Sequence, residues 1–157
     1  MTLLSTVVLA ACGNSSSSSA SSSDEINWFI PTEISTLDIS KVTDTYSSIA
    51  IGNSGSNLLR RDEDGELQPD LAEKVEVSDD GLTYTATLRD DLKWSDGSDL
   101  TAEDFVYSWQ RIVAPATASE YAYLVSDAHV LNAEEVIAGT KSVDELGVKA
   151  DGNKLIF

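Results

Sequence analysis

The sequence predicts a mixed α/β (α+β) fold, and two stretches carry that prediction. Leu82, Tyr84, Ala86 and Leu88 alternate with Thr83, Thr85, Thr87 and Arg89, the period of a strand with one buried face. Thr101-Ala-Glu-Asp104 reads as a capped helix start, and Phe105, Trp109, Ile112 and Val113 follow on one helical face. A chain of 157 residues, 41% of them hydrophobic, is long and apolar enough to bury one core.

Charge and residue counts remove several functions. There are 27 acidic residues against 10 basic, a formal charge of −17. Such a surface repels phosphate, which argues against nucleic acid and against electrostatic docking on anionic lipid. One cysteine allows neither an intrachain disulfide nor a multi-cysteine metal site. The single histidine, His129, excludes paired-histidine zinc and reads as a surface or satisfied core residue. No cofactor and no metal are expected.

The first 24 residues read as an address. Residues 1–11 are mostly apolar and uncharged, and would span about 16 Å as a helix, half a bilayer core. They resemble the end of a secretory signal, and Leu9-Ala10-Ala11-Cys12 resembles a bacterial lipobox whose cysteine is acylated. No Lys or Arg precedes Lys41, so the basic n-region is incomplete. The alternative is an incidental or buried cysteine. Residues 13–23, eight of them serine, form a coil with a reach of roughly 18 Å, enough to clear a headgroup layer. The expected division is therefore 1–11 signal, 12–24 lipidated Cys12 and tether, and 25–157 globular.

Within the globular part, Ile26 to Ile30 is a strand candidate ended by Pro31. Ser47 to Leu59 makes a poor helix, because Gly52, Gly55 and several serines weaken it. Arg61 to Glu66 is a solvated charged turn; its likeness to a calcium loop fails on ligand spacing. Val75 to Ser78 and Leu82 to Arg89 pair across Asp79-Asp80-Gly81 as a hairpin. Trp94-Ser-Asp-Gly97 is a tight turn, and the helix from Thr101 closes at Pro115. Further helices are expected from about Ser119 and over Asn132 to Gly139, the glycine suiting a C-cap. Val148 to Ala150 and Lys154 to Phe157 form a second hairpin. Its last strand stops after four residues, which predicts a truncated unit with an exposed apolar sheet edge and marginal stability.

Longer blocks carry a resemblance. Gln68 to Glu73, Asp80 to Arg89, Leu92 to Gly97, Leu100 to Arg111, Pro115 to Tyr121 and Gly139 to Lys149 resemble, in that order, the solute-binding lipoproteins of peptide ABC importers, most closely the oligopeptide-binding type. The resemblance covers roughly residues 25–157. It implies the partial first lobe of a two-lobed periplasmic-binding-protein-like fold that closes on an extended peptide. It also implies ABC importer permease subunits as partners, membrane attachment through the lipid anchor only, and a place on the extracytoplasmic face of the bacterial cell membrane. The family's peptide-contacting positions fall on Tyr121 and on Thr43, Asp44 and Thr45; Tyr121 also admits a half-buried core reading. Two departures stand out: Ile39 follows Leu37-Asp38 where the family has proline, and Gly55-Ser-Asn-Leu58 stands where it has an aromatic-Glu-Gly-Leu block.

Binding without chemistry is thus the leading function. Backbone hydrogen bonds would hold the extended peptide, with wet, loose pockets for its side chains. Alternatives are another solute in the same family (a dipeptide, a signalling peptide or a nickel chelate) or a non-binding surface lipoprotein or decayed fragment. A hydrolase lacks sequence support: there is no Gly-x-Ser-x-Gly and no Ser–His–Asp context, and Trp94, Phe105 and Trp109 read as turn and core. The sequence predicts no enzyme.

Overall fold

The computed structural model describes residues 27–157. The signal, Cys12 and the tether lie outside the described residues. Helix α1 (Thr45–Ser54) precedes a short hairpin of β1 (Leu59–Arg61) and β2 (Leu67–Pro69). A four-stranded antiparallel sheet follows, from β3 (Ala72–Val77), β4 (Tyr84–Leu88), β5 (Lys149–Asp151) and β6 (Lys154–Ile156), in the order β3-β4-β6-β5. Between β4 and β5 the chain forms α2 (Ala102–Val113), α3 (Tyr123–Asp127) and α4 (Ala133–Ile137).

The two expected hairpins build the sheet, with Val75 opposite Ala86 and Asp151 opposite Lys154. In the first, Asp80 shapes the loop by accepting from Ser78 Oγ at 2.6 Å and Leu82 N–H at 3.0 Å. Gly81 closes it at φ 73°. The alternation of β4 is only half realised: Ala86 and Leu88 are buried, whereas Leu82 lies off the strand and is 79% exposed.

α2 covers the buried face. Its capping box forms, with the Thr101 N–H donating to the Asp104 carboxylate at 2.8 Å. Val113 is buried, and Phe105, Trp109 and Ile112 pack against Ala86, Val136, Leu146, Val148 and Leu155. Phe157 is stacked between Tyr84 and Trp109, at 5.7 and 5.6 Å between ring centroids, joining sheet to helix.

Several expectations are corrected. Among the described residues, 27–30 form no strand and no strand pairs with them, and Phe29 is 82% exposed. α1 starts two residues earlier than expected, at an Asp44 cap, and stops at Gly55 rather than Leu59, which begins β1. The charged turn from Arg61 is the loop of the β1–β2 hairpin, where Asp62 accepts from the Asp64 and Glu66 N–H groups. After Pro115 a 3-10 turn intervenes, so α3 begins at Tyr123, not Ser119. β6 is an interior strand paired on both sides, with Phe157 and Tyr84 exchanging backbone bonds of 2.6 and 2.9 Å. The sheet edges are β3 and β5, which expose Glu73, Lys74, Glu76, Lys149 and Asp151 and one large apolar residue, Val77, so they are mainly polar. His129 is exposed, at φ 56° in the turn that ends α3.

Gly147 is a close-approach glycine: its N–H donates to the Leu131 carbonyl at 2.8 Å, and a Cβ there would stand 2.6 Å from Leu131 Cβ. Gly147→Ala should destabilise the fold by roughly 1–3 kcal/mol through overpacking. Leu155→Ala, at a fully buried position, should cost about 2–5 kcal/mol. Urea midpoints measure both, and a wild-type midpoint for Gly147→Ala would show that the contact relaxes freely.

Candidate functional site

The expected ligand-contacting residues sit in two separate places. Asp44 is the N-cap of α1: Oδ1 accepts from the Ser47 N–H at 2.8 Å and Oδ2 from Ser35 Oγ at 2.5 Å. Its carbonyl takes the Ser48 N–H and hydroxyl at 3.1 and 2.8 Å. Both carboxylate oxygens therefore serve the helix start and the segment packed on it. Thr43 and Thr45 flank it, exposed. Tyr121 lies between the 3-10 turn and α3, 40% exposed, its ring 6.4 Å from that of Tyr123 and tilted by 45°. Among the described residues, no hydrogen bond or aromatic pair joins Tyr121 to Thr43, Asp44 or Thr45.

Two hollows lie elsewhere, along α2. The larger, about 490 Å³, has an apolar floor of Leu71, Leu100 and Phe105, with Ile39, Trp94 and the Ser54–Ser56 loop at its sides. The smaller, about 200 Å³, is lined by Ile39, Ser40, Ser108, Trp109, Ile112 and Val125. None of the four expected contact residues lines either. Trp94 forms the expected turn, its carbonyl taking the Gly97 N–H at 2.9 Å, but the ring is half exposed at the larger hollow rather than in the core. Phe105 and Trp109 do pack against the core. Among the described residues, no three His, Cys, Asp or Glu side chains are grouped to hold a metal, and no helix is long and apolar enough to cross a membrane.

The strongest charge pairing is one that no local sequence signal marked. Arg111 donates from both terminal nitrogens to Asp38, at 2.6 and 2.5 Å, across 73 residues of chain. These bonds hold the Asp38 carboxyl at about 2, below its ordinary 3.8, helped by the Ser40 N–H and opposed by partial desolvation. Asp44 is lowered to about 2 by the Ser35 hydroxyl and the Ser47 N–H. Asp62, Asp80, Asp91 and Asp96 are lowered as well, through the side chains of Gln68, Ser78, Arg89 and Ser98 respectively.

The fold is also found in solved structures. The oligopeptide ABC transporter substrate-binding domain of Bacillus anthracis matches at TM-score 0.75 and 47% identity, over 79% of this chain and 24% of that one. The murein tripeptide binding protein MppA of Escherichia coli matches at TM-score 0.77 and 39% identity, over 81% and 25%. The architecture therefore matches part of a lobe of these solute-binding structures. Bacterial extracellular solute-binding proteins, family 5, match over residues 66–154, more than half of the chain, and the chain belongs to that family. The dipeptide-binding protein of Lactococcus lactis is 47% identical over 150 residues, 96% of this chain and 26% of its own length. The chain thus spans about a quarter of that relative. The family and these relatives are solute-binding proteins rather than enzymes.

Acid should weaken the fold with a defined sign. Both Asp38 and Asp44 bind protons more weakly folded than unfolded, so their stabilisation is present above about pH 4 and is lost as pH falls towards 2. Urea midpoints at pH 6, 3 and 2 should fall in that order, and Asp38→Asn should lower the pH 6 midpoint while flattening the fall. An equal fall in Asp38→Asn would remove Asp38 from the account.

Proposed function

We propose that the chain is the first part of an extracytoplasmic substrate-binding lipoprotein that captures oligopeptides for an ABC importer. The observation that carries this reading is the 47% identity, with a shared fold, to the substrate-binding domain of an oligopeptide ABC transporter. In this reading Tyr121 and the Thr43–Thr45 segment contact the peptide, Tyr121 with a half-exposed ring available for stacking and Asp44 by positioning the start of α1. Residues 1–11 are the signal, residues 12–24 the lipidated Cys12 and the tether, and residues 25–157 the partial lobe. The name of the Lactococcus relative favours dipeptides as the second reading.

A peptide on one partial lobe keeps much of its water contact, and ordering costs roughly 0.5–1.5 kcal/mol per immobilised side chain. The 157-residue chain should therefore bind tetra- to hexapeptides no tighter than about millimolar, near −4 kcal/mol. A chimera in which it replaces the matching quarter of the Lactococcus relative should bind micromolar or better, and Tyr121→Ala should weaken that by about tenfold or more. Isothermal titration with dipeptides and longer peptides separates the two readings. Peptide affinity unaffected by Tyr121→Ala would remove that residue from the site, and micromolar binding by the short chain would refute the partial-site reading.

Anchoring has its own test. Two or more acyl chains on Cys12 would make attachment stable where one is marginal. With a full signal supplied upstream, the wild type should enter the detergent phase and Cys12→Ser the aqueous phase. Equal partitioning of both would rule the anchor out.

A further inference from the structure

The two hollows beside α2 are neighbours along the helix. Asp104, Phe105 and Ser108 border the larger, and Ser108, Trp109 and Ile112 the smaller, so the lining advances one turn along the helix. Ile39 and Ser108 line both.

The segment that carries Ile39 has few attachments. Residues 35–37 lie in neither helix nor strand and residues 39–41 make a turn; Ser40 is buried, but none of the seven enters either apolar core cluster. Leu37 and Ile39 are more than 60% exposed, so apolar burial holds the segment weakly. Ser35 bonds locally to Asp44 and Ser47. Among the described residues, the hydrogen bonds from residues 35–41 to anything beyond α1 are the two that Arg111 donates to Asp38.

We propose that residues 35–41 are a releasable strap: the Asp38–Arg111 pair clamps it to α2, Ile39 separates the two hollows, and undoing the clamp joins them while the sheet stays folded. Neither apolar core contains a strap residue. Each hollow carries its own reporter, Trp94 in the larger and Trp109 in the smaller. The exposed Lys41, whose N–H bonds the Asp38 carbonyl at 2.9 Å, places a trypsin site within the strap.

The test uses the full chain with Trp28→Phe, so that the tryptophans of the two hollows report alone. Asp38→Ala and Arg111→Gln are compared with this parent by anilinonaphthalene sulfonate fluorescence, tryptophan emission, far-ultraviolet circular dichroism and trypsin mapping. Both variants should bind the dye several-fold more strongly and shift the tryptophan emission, with unchanged dichroism. Cleavage after Lys41 should speed up by about tenfold, and clearly more than cleavage after Lys74 in β3, because proteolysis follows the local open population. Unchanged dye binding and Lys41 cleavage in both variants would overturn the proposal. Equal acceleration at Lys41 and Lys74, with lost dichroism, would overturn it too, since the pair would then hold the whole fold.

Discussion

The packing of α2 on the sheet is the constraint on which the rest depends. Neither partner is stable alone: β5 and β6 are three residues each, and a 12-residue helix is marginal in water. Each supplies the apolar surface that the other lacks, through Val113 and Trp109 on one side and Ala86, Val148 and Leu155 on the other. The long excursion from β4 to β5 is closed by that contact, and α4 with Val136 fills the end of the same core. Once the buried side of α2 is committed to the sheet, its flank bearing Ser108 and Arg111 is left for the N-terminal segment. The Asp38 clamp and both hollows follow from that division of the helix surface.

What was legible in the sequence follows the range of the interaction that makes it. The capped α2 and both hairpins were readable because their signals, a capping box, an apolar helical stripe and turn residues between strand-like runs, all lie within a dozen residues. The short β1–β2 hairpin was read only as a turn, since three-residue strands carry no period. The Ile26–Ile30 run has the apolar character of a strand, yet a strand needs a partner, and among the described residues none reaches residues 27–30. The truncated-edge expectation failed for a topological reason: strand order places β6 inside the sheet, and order is not written in any one strand.

The expected ligand contacts rest on resemblance rather than on chemistry legible in the sequence. Tyr121 and Thr43 have no local feature that marks them, and Asp44 has one with a different meaning, because an aspartate three residues before a serine on a helix start is a cap. Its two oxygens are taken up by Ser35 and Ser47, so the carboxylate is committed to the start of α1 and the segment packed on it. Asp38 and Arg111 are 73 residues apart, beyond the reach of any local reading.

The two departures from the family pattern meet at one place in the structure. Ile39, standing where the pattern has proline, lines both hollows, and Gly55 and Ser56, standing where it has a bulky aromatic and a glutamate, line the larger one. Replacing an aromatic by glycine removes a large apolar side chain, and interiors left without such a group keep the space when their surroundings are fixed. Here they are fixed on three sides, by α2, by the Trp94 turn and by α1, whose last turn bonds the Gly55 N–H to the Ile51 carbonyl at 2.9 Å. The fourth side is Ile39, which no prolyl ring constrains and which Asp38 alone ties to the helix. The two departures therefore border one hollow from different elements, Gly55 and Ser56 from the end of α1 and Ile39 from the segment that the Asp38–Arg111 pair joins to α2.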